Sequence, residues 1–198
     1  MASSHLTSLV AAVALGLFAL VAFVDGIWIH LVRLRLHARP ASRREHALHT
    51  GRALLTPPLL LTVFGSATGP WLWVGVVLLL ADQVLEVMDM LEEKRSRQAL
   101  GGLSTGEYGA HGAVITVRAV AIALALILRP AEAWVTTVST FDAGAVAWVG
   151  RQLVAGSVVA AVVHVALLLR PDLLPVRDPA IPTRPFWRQC CGMPWPGG

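Results

Sequence analysis

Charge is scarce in this chain. Only 14% of its 198 residues are Asp, Glu, Lys or Arg, where a soluble domain carries about a quarter. Fully 56% are hydrophobic, and the mean hydropathy is +0.66. That shortfall argues against an ordinary water-soluble domain and makes lipid the expected solvent. Cysteine is also scarce. Cys190 and Cys191 are adjacent, which leaves no disulfide framework and no CxxC site. No nucleotide-binding loop, nucleophile triad or nucleic-acid module is visible. The net charge of +4 and pI near 10.0 do not call for nucleic acid either, because the arginines gather at helix ends, where basic charge reads as membrane topology.

What is there is apolar sequence in lengths of about 20 residues or more, enough to cross a bilayer core. Five such segments are expected to be transmembrane helices, approximately 6–37, 42–64, 71–98, 104–128 and 143–169. No Lys or Arg precedes the first apolar run, so it reads as a retained helix rather than a cleaved signal. Arg39-Pro40, the neutral turn 65–70, Gly101-Gly102 and Arg129-Pro130 supply the breaks. Pro57-Pro58 is expected to kink the second segment. Residues 171–198 are too rich in proline for a packed helix and read as a cytosolic tail along the membrane surface. The fold class is thus all-α, an integral membrane helical bundle. Arginine in the first and third loops and the tail, against a neutral second loop, places the N-terminus outside and the C-terminus in the cytosol of a bacterial-type inner membrane.

Against this apolar background the acids stand out. Asp82, Glu86, Asp89 and Glu93 are spaced four, three and four apart, which puts them on one helical face. Two phrases then match, Ser42-x-x-Glu45-x-x-x-His49 and Ser104-x-x-Glu107-x-x-x-His111, each stacking a carboxylate and an imidazole one turn apart. Counted at about 1.5 Å of rise per residue, Asp25, His49, Glu86, Asp89, His111 and His164 fall in one layer in the cytosolic third of the core. Ionisable groups there cost several kcal/mol each unless paired, so they are expected to face inward and one another. Arg52, Arg118 and Asp82 lie somewhat deeper, with Asp82 and Arg118 the expected ion pair.

The sharpest chemistry such a layer supports is a metal centre, with two ions in the fullest version. Asp25 and Glu86 or Asp89 would supply carboxylates, and Glu45 with His49 and Glu107 with His111 the paired ligands, much as helix bundles hold carboxylate-bridged metals. Oxygen and imidazole donors suit iron first, then manganese or zinc; haem is less suited to so acidic a layer. Arg52 and Arg118, with Asp82, would balance charge or hold a lipid phosphate. His30, His46 and His164 are reserve ligands. His30 and His37 otherwise read as a basic stripe facing anionic lipid. The four-residue Glu/His spacing differs from the Glu-x-x-His of carboxylate-bridged bundles, and the HxxxH and HxxHH boxes of membrane desaturases are absent.

The expected function is therefore an oxidoreductase acting on a lipid or other membrane-dissolved substrate. Two readings compete. A proton- or ion-conducting subunit would use the acidic stripe without the Glu/His pairs. A non-catalytic scaffold, alone as a homo-oligomer or with a membrane partner, would use both Ser-x-x-Glu phrases only as capping boxes.

Overall fold

The computed structural model describes residues 2–98, 101–135 and 143–174, and those residues contain helices and turns but no strand. Six α-helices follow one another: α1 Ala2–Ala22, α2 Arg43–Thr62, α3 Pro70–Arg97, α4 Thr105–Ile127, α5 Glu132–Val135 and α6 Ala145–Leu169. Three helical stretches, His5–Arg33, Thr105–Ile127 and Ala145–Leu169, are long and apolar enough to cross a membrane. Of the tail, Pro171–Leu173 forms a 3-10 turn, and residues 175–198, with Cys190 and Cys191, lie outside the described residues.

α1 does not end at Ala22. It continues as a π-helix over Phe23–Arg33, marked by the Leu34 amide donating to the Ile29 carbonyl five residues earlier. The helical run stops at Arg35, which adopts a left-handed conformation with φ 53°, while the Arg39 Nε donates to the Leu34 carbonyl at 2.9 Å. Two short 3-10 turns, Leu36–Ala38 and Pro40–Ser42, lead into α2. The first helix thus stops short of its expected end at about residue 37, and a π segment replaces its last α-turns.

The helices form a bundle in which α2 packs between α3 and α6, and α1 between α4 and α6. Small residues permit the close approaches. A Cβ at Gly150 on α6 would stand 3.2 Å from the Leu60 carbonyl oxygen of α2, and one at Gly75 on α3 would stand 2.6 Å from Thr62 Oγ1. α2 runs through Pro57 and Pro58 without ending. Its carboxyl end is held by Arg129, whose guanidinium donates to the carbonyls of Gly65 at 2.6 Å, Ala67 at 2.7 Å and Val63 at 2.9 Å. A cation on carbonyls at a helix C-terminus satisfies groups that helix geometry leaves unpaired.

The interior is divided lengthwise. One half is apolar: Ala11, Leu15, Leu60, Val63, Phe64, Ala121, Ala125, Val146 and Ala147 pack together. The other half is polar, with buried Asp25, His30, Glu45, His49, Asp89, Glu93, Arg97, Glu107 and His111. Outside, the bundle exposes large apolar side chains along α1, α3 and α6.

Candidate metal centre

Four elements supply the polar half: the π-helix, α2, α3 and α4. The acids of α3 form its spine, and Asp82, Glu86, Asp89 and Glu93 are all buried, as one helical stripe requires. At the deep end, Arg52 Nη2 donates to Glu86 Oε1 at 2.9 Å, and Arg52 Nε donates to Asp82 Oδ1 at 3.4 Å. From α4, Arg118 donates to both Asp82 and Glu86. The pair expected from depth therefore forms, with a second acid and a second guanidinium attached. Gln83 also donates to Glu86 Oε2, at 2.6 Å. Both oxygens of Glu86 are occupied by donors, so Glu86 is not the free carboxylate that a metal-ligand role expects.

At the opposite end of the stripe sits Arg97, with no exposed surface. Its Nη1 donates to Glu45 Oε2 at 2.7 Å, and its Nε donates to Glu107 Oε1 at 2.8 Å. Sequence reasoning reads Arg97 as a loop charge, yet it ties α3 to the first turns of α2 and α4. The two matching phrases then part company. Ser104 makes a true capping box: its Oγ accepts from the Glu107 amide, while Glu107 Oε2 accepts from the Ser104 amide and hydroxyl. With Arg97 on the other oxygen, Glu107 is fully engaged and not free to ligate. Ser42 makes no side-chain cap; its Oγ accepts from Ser96 Oγ at 2.7 Å. Capping therefore does not account for Glu45, whose Oε1 is buried without a hydrogen-bond partner.

Between these two arginine-bound ends lies the centre. Ligand atoms of His30, Glu45 and His49 all lie within 4.8 Å of one another, and all three residues are buried. Their rings and carboxylate meet closely: the His30 and His49 centroids are 4.2 Å apart, and His49 Nε2 is 3.9 Å from Glu45 Oε1. Asp89 Oδ2 is 3.2 Å from His49 Nε2 and 3.6 Å from Arg52 Nη1, and Asp25 Oδ1 is 3.9 Å from His30 Nε2. Asp25 Oδ2 in turn stands 3.6 Å from His111 Nδ1. Despite this crowding, both ring nitrogens of His30 and His111, both oxygens of Asp89, and His49 Nε2, Glu45 Oε1, Asp25 Oδ1 and Glu93 Oε1 make no hydrogen bond. Buried polar atoms are paired in more than about 90% of cases, so this concentration of unbonded atoms sets the polar half apart from an ordinary interior.

The π-helix explains how His30 arrives. In an α-helix, residues five apart point about 140° away from each other. Hydrogen bonds from residue i to i+5 widen the turn, so Asp25 and His30 share an inward face. A reserve position in the sequence thus becomes a central donor. His46, the expected substitute for His49, turns away and stacks on His164 of α6 with centroids 5.4 Å apart. His37 lies edge-on to His46 at 6.2 Å. His30 and His37 are both buried, so they do not form a lipid-facing stripe.

Comparison with protein-family models, with curated proteins and with solved structures found no match. Fold and site define the class: an all-α bundle with helices able to cross a membrane. Its interior holds a buried His30-Glu45-His49 group that could hold a metal ion.

Proposed function

We propose that the chain is a multi-pass membrane protein whose polar interior is the metal centre of an oxidoreductase acting on a membrane-dissolved substrate. The observation that carries this reading is the convergence of His30, Glu45 and His49, each buried and each with an unbonded donor atom directed at the others. Two imidazoles and a carboxylate suit iron, manganese or zinc better than copper(I), which favours thiolate and thioether donors. A redox-active ion held there would supply electron transfer to or from the substrate. The protein's own residues do the rest: Arg97 fixes Glu45 through one oxygen and leaves the other to ligate, while Asp89 and Asp25 stand 3.2 Å and 3.9 Å from the imidazole nitrogens of His49 and His30.

All five long helices are proposed to cross the bilayer. α2 and α3 carry more charge than a simple span, but the acids of α3 face inward. Its outer face carries Val77, Leu80, Val84, Val87 and Leu91, exposed at helical spacing. Trp73 donates from its ring to the Trp134 carbonyl at 3.0 Å, with the rings 5.4 Å apart, and exposed Trp71 is adjacent. Such aromatics suit the headgroup level at the end away from the polar half. By the arginine distribution this end is external, and the polar half is cytosolic in a bacterial-type inner membrane.

Conduction through the acid stripe is the weaker reading, because Arg52 and Arg118 already hold Asp82 and Glu86. The test is reconstitution of the protein with Fe2+ or Mn2+ in lipid nanodiscs, followed by a screen of membrane-dissolved quinols and acyl lipids for metal-dependent turnover with dioxygen. Turnover lost in His49→Ala supports the proposal. A tightly bound metal with no turnover of any redox substrate, or turnover indifferent to the metal, contradicts it.

A further inference from the structure

The chamber's charges do not cancel. Seven carboxylates face it: Asp25, Glu45, Asp82, Glu86, Asp89, Glu93 and Glu107. Three guanidiniums meet them, Arg52, Arg97 and Arg118. Glu92, the neighbouring acid at the edge, is matched separately by Arg44 at 3.5 Å. Counted with every carboxylate ionised and every imidazole neutral, four negative charges remain over among the described chamber residues. Charge this deep in a bundle is expensive unless neutralised, and one divalent cation at the His30-Glu45-His49 group would leave half of it.

The unbonded donors divide in the same way. Beyond the first group, Asp25 Oδ1, both oxygens of Asp89, Glu93 Oε1 and both nitrogens of His111 are buried without hydrogen bonds. They come from three elements, the π-helix, α3 and α4. Asp25 touches imidazoles on both sides, His30 through Oδ1 at 3.9 Å and His111 through Oδ2 at 3.6 Å. Asp89 reaches the first group through His49 at 3.2 Å, with Arg52 Nη1 3.6 Å from the same oxygen, so that Oδ1 is the oxygen left without a charged partner. A carboxylate whose two oxygens face two sets of ligands is placed to bridge two ions, as in carboxylate-bridged bundle sites.

We infer that Asp25, Asp89, Glu93 and His111 form a second divalent-cation site beside His30, Glu45 and His49, with Asp25 and Asp89 shared between the two. This rests on the proposed metal centre and extends it. It assigns Glu93 as a ligand in place of Glu107, whose oxygens are held by Arg97 and Ser104. Two divalent ions carry four positive charges, which matches the four negative charges left over.

The test is titration of Mn2+ into full-length, chelator-stripped protein in detergent, read by equilibrium dialysis and by electron paramagnetic resonance. Two ions per chain, with the second changing the mononuclear Mn2+ signal into a spin-coupled one, is the expected result. Glu93→Gln, nearly isosteric, should bind one ion and show only the mononuclear signal, whereas Glu107→Gln should still bind two. Unchanged helix content by circular dichroism in both variants excludes misfolding as the cause. One ion in the unaltered chain overturns the second site and leaves the metal centre standing, and no bound ion overturns both. Two ions in Glu93→Gln, or a loss in Glu107→Gln alone, overturns the assignment of the second site's ligands.

Discussion

Arg97 illustrates how much a single side chain decides here. A guanidinium with no exposed surface that bridges Glu45 and Glu107 leaves two buried carboxylates unpaired when removed. Arg97→Ala should therefore destabilise the bundle by about 3–5 kcal/mol, measurable as a lowered denaturation midpoint in detergent. Arg97→Lys, which keeps the charge but loses the fork, should recover part of that stability. It should still weaken metal binding by roughly 10–100-fold through the freed Glu45; unchanged affinity in that variant would show that Arg97 does not position the ligand. The serines make a second contrast. Ser104→Ala should raise hydrogen exchange at the first amides of α4 and cost about 1 kcal/mol, because Ser104 caps that helix. Ser42→Ala should leave the first amides of α2 exchanging as before, since Ser42 caps nothing. Equal effects in the two helices would contradict the distinction. The sequence cannot separate these two serines, which sit in the same phrase. The difference is set by Ser96, 54 positions away, which draws Ser42 aside.

Among the helices, the acid stripe of α3 is legible because four carboxylates at helical spacing require nothing but the α-helical period. The role of His30 is not. Five-residue spacing from Asp25 excludes a shared face under that period, and no local residue pattern announces the π-helix of Phe23–Arg33 that restores it. π-turns are rare and concentrate at functional sites, which fits their occurrence at the one stretch of the first helix that reaches the polar half. Arg97 is hidden for a different reason: arginine in the third loop reads as cytosolic charge, yet of Lys94, Arg95 and Arg97 only Arg97 turns inward. The bundle's close contacts make their own prediction. Gly75→Val places side-chain atoms where Thr62 already stands. It should force α2 and α3 apart, lowering the thermal midpoint and with it metal retention. A variant as stable as the parent would show that the α2–α3 contact has room to adjust. Arg129→Ala should act at the apolar end, costing about 1.5–3 kcal/mol by releasing carbonyls at the end of α2, while leaving metal affinity intact.

The whole molecule joins an apolar exterior to an interior that is polar over one half, and each can be tested separately. With Cys190 and Cys191 replaced by serine, a cysteine at Arg44, beside the polar half, should react with a membrane-impermeant maleimide only from the cytosolic side. One at Ala131, in the loop after α4, should react only from outside. Labelling of both from the same side would contradict the proposed crossings. Helical class, apolar surface and inward acids could be read from composition and period. The identity of the free donors could not, because it depends on which carboxylates the three arginines occupy, and that is settled by packing. The central claim is that the donors left over hold metal. It is tested most directly by elemental mass spectrometry of protein purified from membranes without chelator, beside a His30→Ala/His49→Ala variant. The account predicts at least one iron, manganese or zinc ion per chain in the unaltered protein and a loss of metal in the variant. Protein free of stoichiometric metal, or equal metal in both, would contradict it.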